Sequence, residues 1–201
     1  MASTVEIWNL ALTDVGGQQV TDPLGNSTEA DLCRLHYPYA LDFVLESQDW
    51  NFATKRQEVA ESATITPIFG YNSAFKIPGD SLRVMEVWDN KRTPINTRFT
   101  NNTLQWAQEG EYISANTSEQ VWIKYIEQVE DPNRFTSSFT QALSKYLAYR
   151  LAIPVAANRT LKADLLNEYE LLVDKAASND GVTGRTKVLR SNVLISARFR
   201  N

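Results

Sequence analysis

The chain has 201 residues, 43% of them hydrophobic and 22% charged, which suits one good core with room for a small satellite and excludes bulk disorder. Its formal charge of −4 is uneven: residues 181–201 hold five basic side chains and no acid, leaving 15 basic and 24 acidic side chains in the first 180, a net of −9. An acidic body of that kind repels phosphate and makes a poor nucleic-acid clamp, although it would let DNA pass a conduit without sticking.

Ser3 and Glu6 have the S-x-x-E spacing of a capping box, and Ile7, Trp8, Leu10, Ala11, Leu12 and Val15 follow. The spacing predicts a helix over about 4–15, ended by Gly16-Gly17. A turn-rich segment comes next, with Val20 and Leu24 as its expected anchors. A cap over Thr28–Asp31 opens a second helix with the stripe Leu32, Leu35, Tyr39, Phe43 and Trp50. Pro38 inside it predicts a kink or break near Tyr37, since proline removes a donor and crowds the preceding turn. Trp50 and Phe52 are expected to cover the bottom of the helical core.

From about residue 59 to 130 the hydrophobic period changes from 3.6 to 2. Strands are expected over 63–71, with Pro67 at an edge or bulge, and over 81–89, 93–100, 103–106, 111–114 and 121–127. They suggest an antiparallel meander, with the stretch 71–80 or the hairpins projecting. Residues 136–153 then place Phe139, Ala142, Leu143, Tyr146, Leu147 and Leu151 at helical spacing, and Pro154 is expected to stop that helix. A short turn leads to a last helix with Leu161, Leu165, Tyr169, Leu172 and Ala176 on one stripe. Past Gly181 the pattern fails. Val188, Leu189, Val193, Leu194 and Ile195 are too apolar for a free tail, so this stretch either packs back on the body or docks on another chain.

The expected fold class is therefore α+β: a helical bundle from residues 1–56 and 131–178, an antiparallel β-rich insertion at 57–130, and a C-terminal extended arm at 179–201.

Little in the sequence points to catalysis. Cys33 and His36 share a helix face, but they are the single cysteine and the single histidine, too few for a zinc site and without an orienting third group for a nucleophilic pair. Phosphate-binding glycine loops and the nucleophile-elbow motif are missing, and nothing singles out one carboxylate pair. One cysteine allows no internal disulfide. The start MASTVEIWNL lacks the pattern of a signal peptide, and no apolar run nears the ~18–20 residues of a membrane span. Neither a cofactor nor a membrane partner is expected.

The order of these features resembles the head-to-tail connector proteins of short-tailed, double-stranded DNA bacteriophages, the adaptor, gatekeeper or tubular tail protein A family. That family opens with IxNxALxxxG, matched by Ile7, Asn9, Ala11, Leu12 and Gly16, and its second helix ends in WxFA, matched after Ala30, Tyr37 and Leu45 by Trp50, Phe52 and Ala53. LRVxxV is met by Leu82, Arg83, Val84 and Val87. A long later motif is met by Tyr125, Ile126, Val129, Asp131, Pro132, Phe135, Phe139, Ala142, Leu143, Leu147, Ala148, Leu151 and Ala152. The likeness spans about residues 5–180; each motif alone is weak, and their order and spacing carry it.

The resemblance implies a non-enzymatic, twelve-subunit ring beneath the portal, in the virion at the head–tail junction and in the host cytoplasm during assembly. Expected partners are other copies of the chain, the portal protein, the tail nozzle or other tail proteins, and double-stranded DNA passing nearby without specific binding. Portal docking is expected of Val188, Leu189, Val193, Leu194 and Ile195, with Arg190, Arg198 and Arg200 meeting acidic or DNA-proximal groups. Contacts to the next tail component are expected at Tyr71, Phe75, Lys76, Lys91 and Arg92, and less strongly at Glu109–Asn116. The rival reading is a small binding or hydrolase domain of the tail acting on the host envelope; a nucleic-acid-binding regulator, supported only by the basic tail, is third.

Overall fold

A computed structural model describes residues 3–89, 104–117 and 120–183, with side chains described as far as residue 177. Its first helix, α1 (Thr4–Val15), begins where the capping box predicts: the Ser3 hydroxyl accepts from the Glu6 amide, and the Glu6 carboxylate accepts from the Ser3 amide at 2.7 Å. It ends on Gly16 at φ 70°, a left-handed turn that suits glycine. Gly17 is closely packed, since a Cβ there would lie 3.0 Å from a Leu12 methyl and 3.2 Å from Val155 and would push both aside by a few tenths of an ångström. The Asn9 amide then clamps the following loop, donating to the Val20 carbonyl at 2.9 Å and accepting from the Val20 amide at 2.8 Å. Val20 is buried as expected, but Leu24 is 77% exposed and anchors nothing.

Helix α2 (Thr28–Ser47) is capped by Ser27 and runs unbroken through Pro38. Its buried face is Ala30, Cys33, Tyr37, Ala40, Leu41, Val44 and Leu45. Of the expected stripe, Trp50 is buried and Leu32 packs half-buried on the helical core, but Leu35, Tyr39 and Phe43 look outward. Both faces of this helix are apolar enough to be core. The face bearing Ala30, Cys33 and Ala40 allows the closer backbone approach to the next helix, and close approach wins in a dense core.

Trp50 closes the end of α2. Its indole N–H donates to the Val44 carbonyl at 2.7 Å, one of the carbonyls that a helix end leaves without a partner, and its ring stands edge-on to Phe139 with centroids 5.0 Å apart. Phe52 packs on Phe135 and Phe139 beside it. Thr136 caps α3 (Ser137–Ala156), whose expected stripe is buried throughout. Pro154 falls inside its last turn and does not end it; Ala157, at φ 50°, does. Asn158 accepts from the Leu161 amide and opens α4 (Arg159–Thr183), which continues past Gly181. Leu165, Tyr169, Val173 and Ala176 bury its inner face, with Leu161 and Leu172 partly buried beside them.

The α+β class is borne out, with two three-stranded antiparallel sheets among the described residues. The first has the order β1 (Thr54–Val59), β6 (Val121–Glu127), β3 (Ser81–Trp88). The second has the order β2 (Ser73–Lys76), β5 (Tyr112–Ala115), β4 (Trp106–Glu109). Neither order is a plain meander: β6 sits between β1 and β3, and β5 sits between β2 and β4, each pairing with a strand far from it in the chain. The strand expected at 63–71 is instead a loop, and that expected at 93–100 lies outside the described residues. Strand β6 serves two cores: Val121, Ile123 and Tyr125 pack with Val59, Phe75, Val87 and Ile113, while Ile126 belongs with Val129 to the helical core.

Replacing Trp50 with alanine removes a buried ring and the donor to the Val44 carbonyl. We expect the variant to lose about 3–5 kcal/mol of unfolding free energy, read from denaturant midpoints; a loss under about 1 kcal/mol would mean that the ring is not a structural keystone.

Candidate functional site

The expected arm residues Val188, Leu189, Arg190, Val193, Leu194, Ile195, Arg198 and Arg200 lie outside the described residues, as do Lys91 and Arg92. Of the remaining expected contacts, Lys76 is exposed and Tyr71 half-buried. Phe75 is fully buried in the second core, so it cannot meet a partner. The stretch 71–80 is not a projecting tip, since it forms β2 and the approach to β3, and Ser73, Ala74 and Phe75 all point into protein. Glu109–Asn116 is the β4–β5 hairpin, turning on Gly110 at φ 60°; Ile113, Ser114 and Ala115 are buried, and Glu109 accepts from the Ser114 hydroxyl.

Cys33 is buried among apolar groups, which pushes its thiol up to about 12 and leaves it unsuited to act as a nucleophile. Burial, with Arg150 nearby, lowers the His36 pKa. No group of three or more His, Cys, Asp or Glu side chains able to hold a metal occurs among the described residues.

A charged network ties β1 to the ends of the neighbouring strands. The Lys55 ammonium donates to Asp80 at 2.6 Å and to Glu127 at 2.8 Å. Arg134 reaches the other Glu127 oxygen at 3.0 Å and the Phe52 carbonyl at 3.1 Å. The Tyr125 hydroxyl lies 3.1 Å from both Asp80 and Gln57. Lys55 bonds both carboxylates and holds each below its ordinary pKa, and the same bonds raise its own. Every cation here is already paired with an acid, so the cluster braces the junction of sheet and helices and leaves no open charge for a ligand.

Two surface features stand out among the described residues, and sequence reasoning missed both. The first is the loop between β1 and β2. Its base is pinned by the Ser62 amide on the Ala74 carbonyl at 2.8 Å and by a bridge between Glu61 and Phe75. From that base it exposes Ile65, with Ile68 98% and Phe69 88% open to solvent. Such a closed surface loop is an Ω-loop in form. The signal was present in the sequence as an apolar run holding Pro67 and Gly70, but period-2 spacing made it read as a strand. The second is a groove of about 410 Å³ between α1, α3 and α4, floored by Leu10, Leu171 and Leu172. On its wall Lys145 pairs with Asp14 at 3.0 Å and Glu168 at 2.8 Å.

Comparison of the chain with protein-family models and with curated proteins finds no match.

The Lys55 network makes stability depend on pH in a defined direction. Asp80 and Glu127 titrate lower when folded than when unfolded, so their contribution is present above about pH 4.5 and is lost as the pH falls through the folded values. Lys55 titrates higher when folded, so its share holds below about pH 10.5 and is lost as the pH rises through its folded value. Lys55→Met should therefore flatten the fall in thermal midpoint below pH 4.5. Parallel profiles for the two proteins would show that the pairs are fully screened.

Proposed function

We propose that this chain is a structural head-to-tail adaptor of a short-tailed phage, forming a ring between the portal and the tail nozzle that helps retain packaged DNA and forms part of the ejection channel. One observation carries the reading beyond the order of motifs. The aromatic residues of two motifs far apart in the sequence, Trp50 and Phe52 from one and Phe135 and Phe139 from the other, meet ring against ring, at centroid distances of 4.7–6.2 Å. A pattern whose separate parts make one packed unit supports a shared architecture better than scattered identities do. Asn9 supports it in the same way, since the side chain at the motif's polar position is the one that clamps the loop after α1.

In this reading the acidic body faces a passage where duplex DNA must move without adhering. The apolar and basic segment beyond α4 reaches the portal, with Val188, Leu189, Val193, Leu194 and Ile195 as anchors and the nearby arginines meeting acids. The protein performs no catalysis, and twelvefold repetition lets modest pairwise contacts hold a large object.

The test is negative-stain imaging and light scattering of the protein alone and mixed with the portal of the same phage. A ring, alone or formed only on the portal, is expected; a monomer that ignores the portal overturns the proposal. Because α4 continues to Thr183, the arm is best removed by deleting residues 184–201. That truncation should keep a cooperative thermal transition and lose portal binding. A truncated chain that still joins the portal would assign the docking to another surface.

A further inference from the structure

The Ω-loop at residues 62–72 and the groove between α1, α3 and α4 are opposite kinds of surface on one chain. Ile68 and Phe69 stand almost wholly in water, side by side, at the tip of a loop whose base is tied to β2. Isolated exposed apolar residues are ordinary on a protein surface, but two adjacent large ones raised from a pinned base make a wedge. The groove offers the converse: a concavity of about 410 Å³ with an apolar lining in which Leu10 is 49% and Leu171 60% exposed.

Charge decides the occupant. The first 180 residues carry a net −9, so contact between two such bodies is favoured where local charge is absent or cancelled. Residues 62–72 contain no ionisable acid or base of ordinary charge at neutral pH. The groove is lined by Asp14, Glu168, Lys145 and Lys175, two acids and two bases, with Lys145 bonded to both acids. Wedge and groove are both locally neutral on a strongly acidic body. They also belong to different cores, the wedge beside the β2–β5–β4 sheet and the groove on the helices.

We propose that the tip of the 62–72 loop of one copy seats Ile68 and Phe69 in the α1–α3–α4 groove of the next copy. The contact joins two different surfaces, so each copy gives one wedge and receives one. Such a head-to-tail contact closes into a ring when the rotation permits and otherwise runs on as a filament. The inference rests on the ring reading above and names the lateral contact within it.

The experiment uses the full chain with Phe69→Glu or Leu171→Glu, both at exposed positions where glutamate can be hydrated in the monomer, with circular dichroism to verify folding. Sedimentation velocity over a range of concentrations reads assembly. Wild-type protein should form multimers, and each variant alone should sediment as a monomer. An equimolar mixture of the two should stop at dimers, because one sound wedge and one sound groove remain per pair. If both variants assemble like the wild type, or if only Phe69→Glu fails, the wedge does not enter this groove and the proposal falls. It falls too if wild-type protein stays monomeric at every concentration and on the portal. Variant rings on the portal that match the wild type would remove the wedge contact and leave the adaptor reading standing. Wedge-dependent multimers that ignore the portal would do the reverse.

Discussion

The position of Trp50 is the constraint on which the two halves of the molecule depend. The residue stands where α2 ends and the chain turns toward β1, and its indole N–H joins the Ser47 hydroxyl in donating to the Val44 carbonyl in the last turn of α2. The same ring is an apolar wall for Phe139 at the start of α3. A single side chain thereby ends one helix, seats another and starts the passage into the sheet. Tyr169 adds a parallel tie from α4, its hydroxyl 3.2 Å from that of Ser47, which itself bonds the Val44 carbonyl. Three helices thus meet at the last turn of α2.

From that point the structure is passed on through β6. Val121, Ile123 and Tyr125 fill the core shared with the second sheet, and Ile126 reaches the helical core. The Lys55 network lies where β1, β6 and the approach to β3 come together, and Arg134 carries it to the segment before α3. Salt bridges this exposed add little to stability each, and their value here lies in register: a slip of β1 by one residue would turn Lys55 away from both Asp80 and Glu127.

How much of this could be read in advance varied with whether the information was local. Helix α1 was legible in its ends and in its buried face apart from the exposed Leu10, because cap, stripe and terminal glycines all lie between Ser3 and Gly17. The stripes of α3 and α4 were legible for the same reason. Helix α2 was not, since Leu35, Tyr39 and Phe43 repeat as regularly as the residues that are buried; Phe43 still lies flat on Tyr146 at 4.5 Å despite its exposure. Strand β1, with the sequence TKRQEV, carries almost no apolar pattern and exists because β6 pairs with it from far along the chain. Residues 63–71 erred in the opposite direction, having strand-like composition but no strand to pair with among the described residues. The tail-contact residue Phe75 failed with them: a hydrophobic residue near a turn can be tip or core, and only the β2–β5 pairing decides it.

The way α1 and α2 pack has a consequence for the order in which the protein can fold. Each rests on α3 much more than on the other. During synthesis they leave the ribosome as two amphipathic helices without a shared core. The surface that buries them, Phe139 to Ala152, is made roughly 100 residues after α2 ends, which at about 5–20 residues per second is a wait of roughly 5–20 s. Strand β1 also waits for β6, over a shorter stretch of chain. The N-terminal third is therefore synthesised well before the surface that buries it, and a chain cut short before α3 would leave the apolar faces of α1 and α2 uncovered.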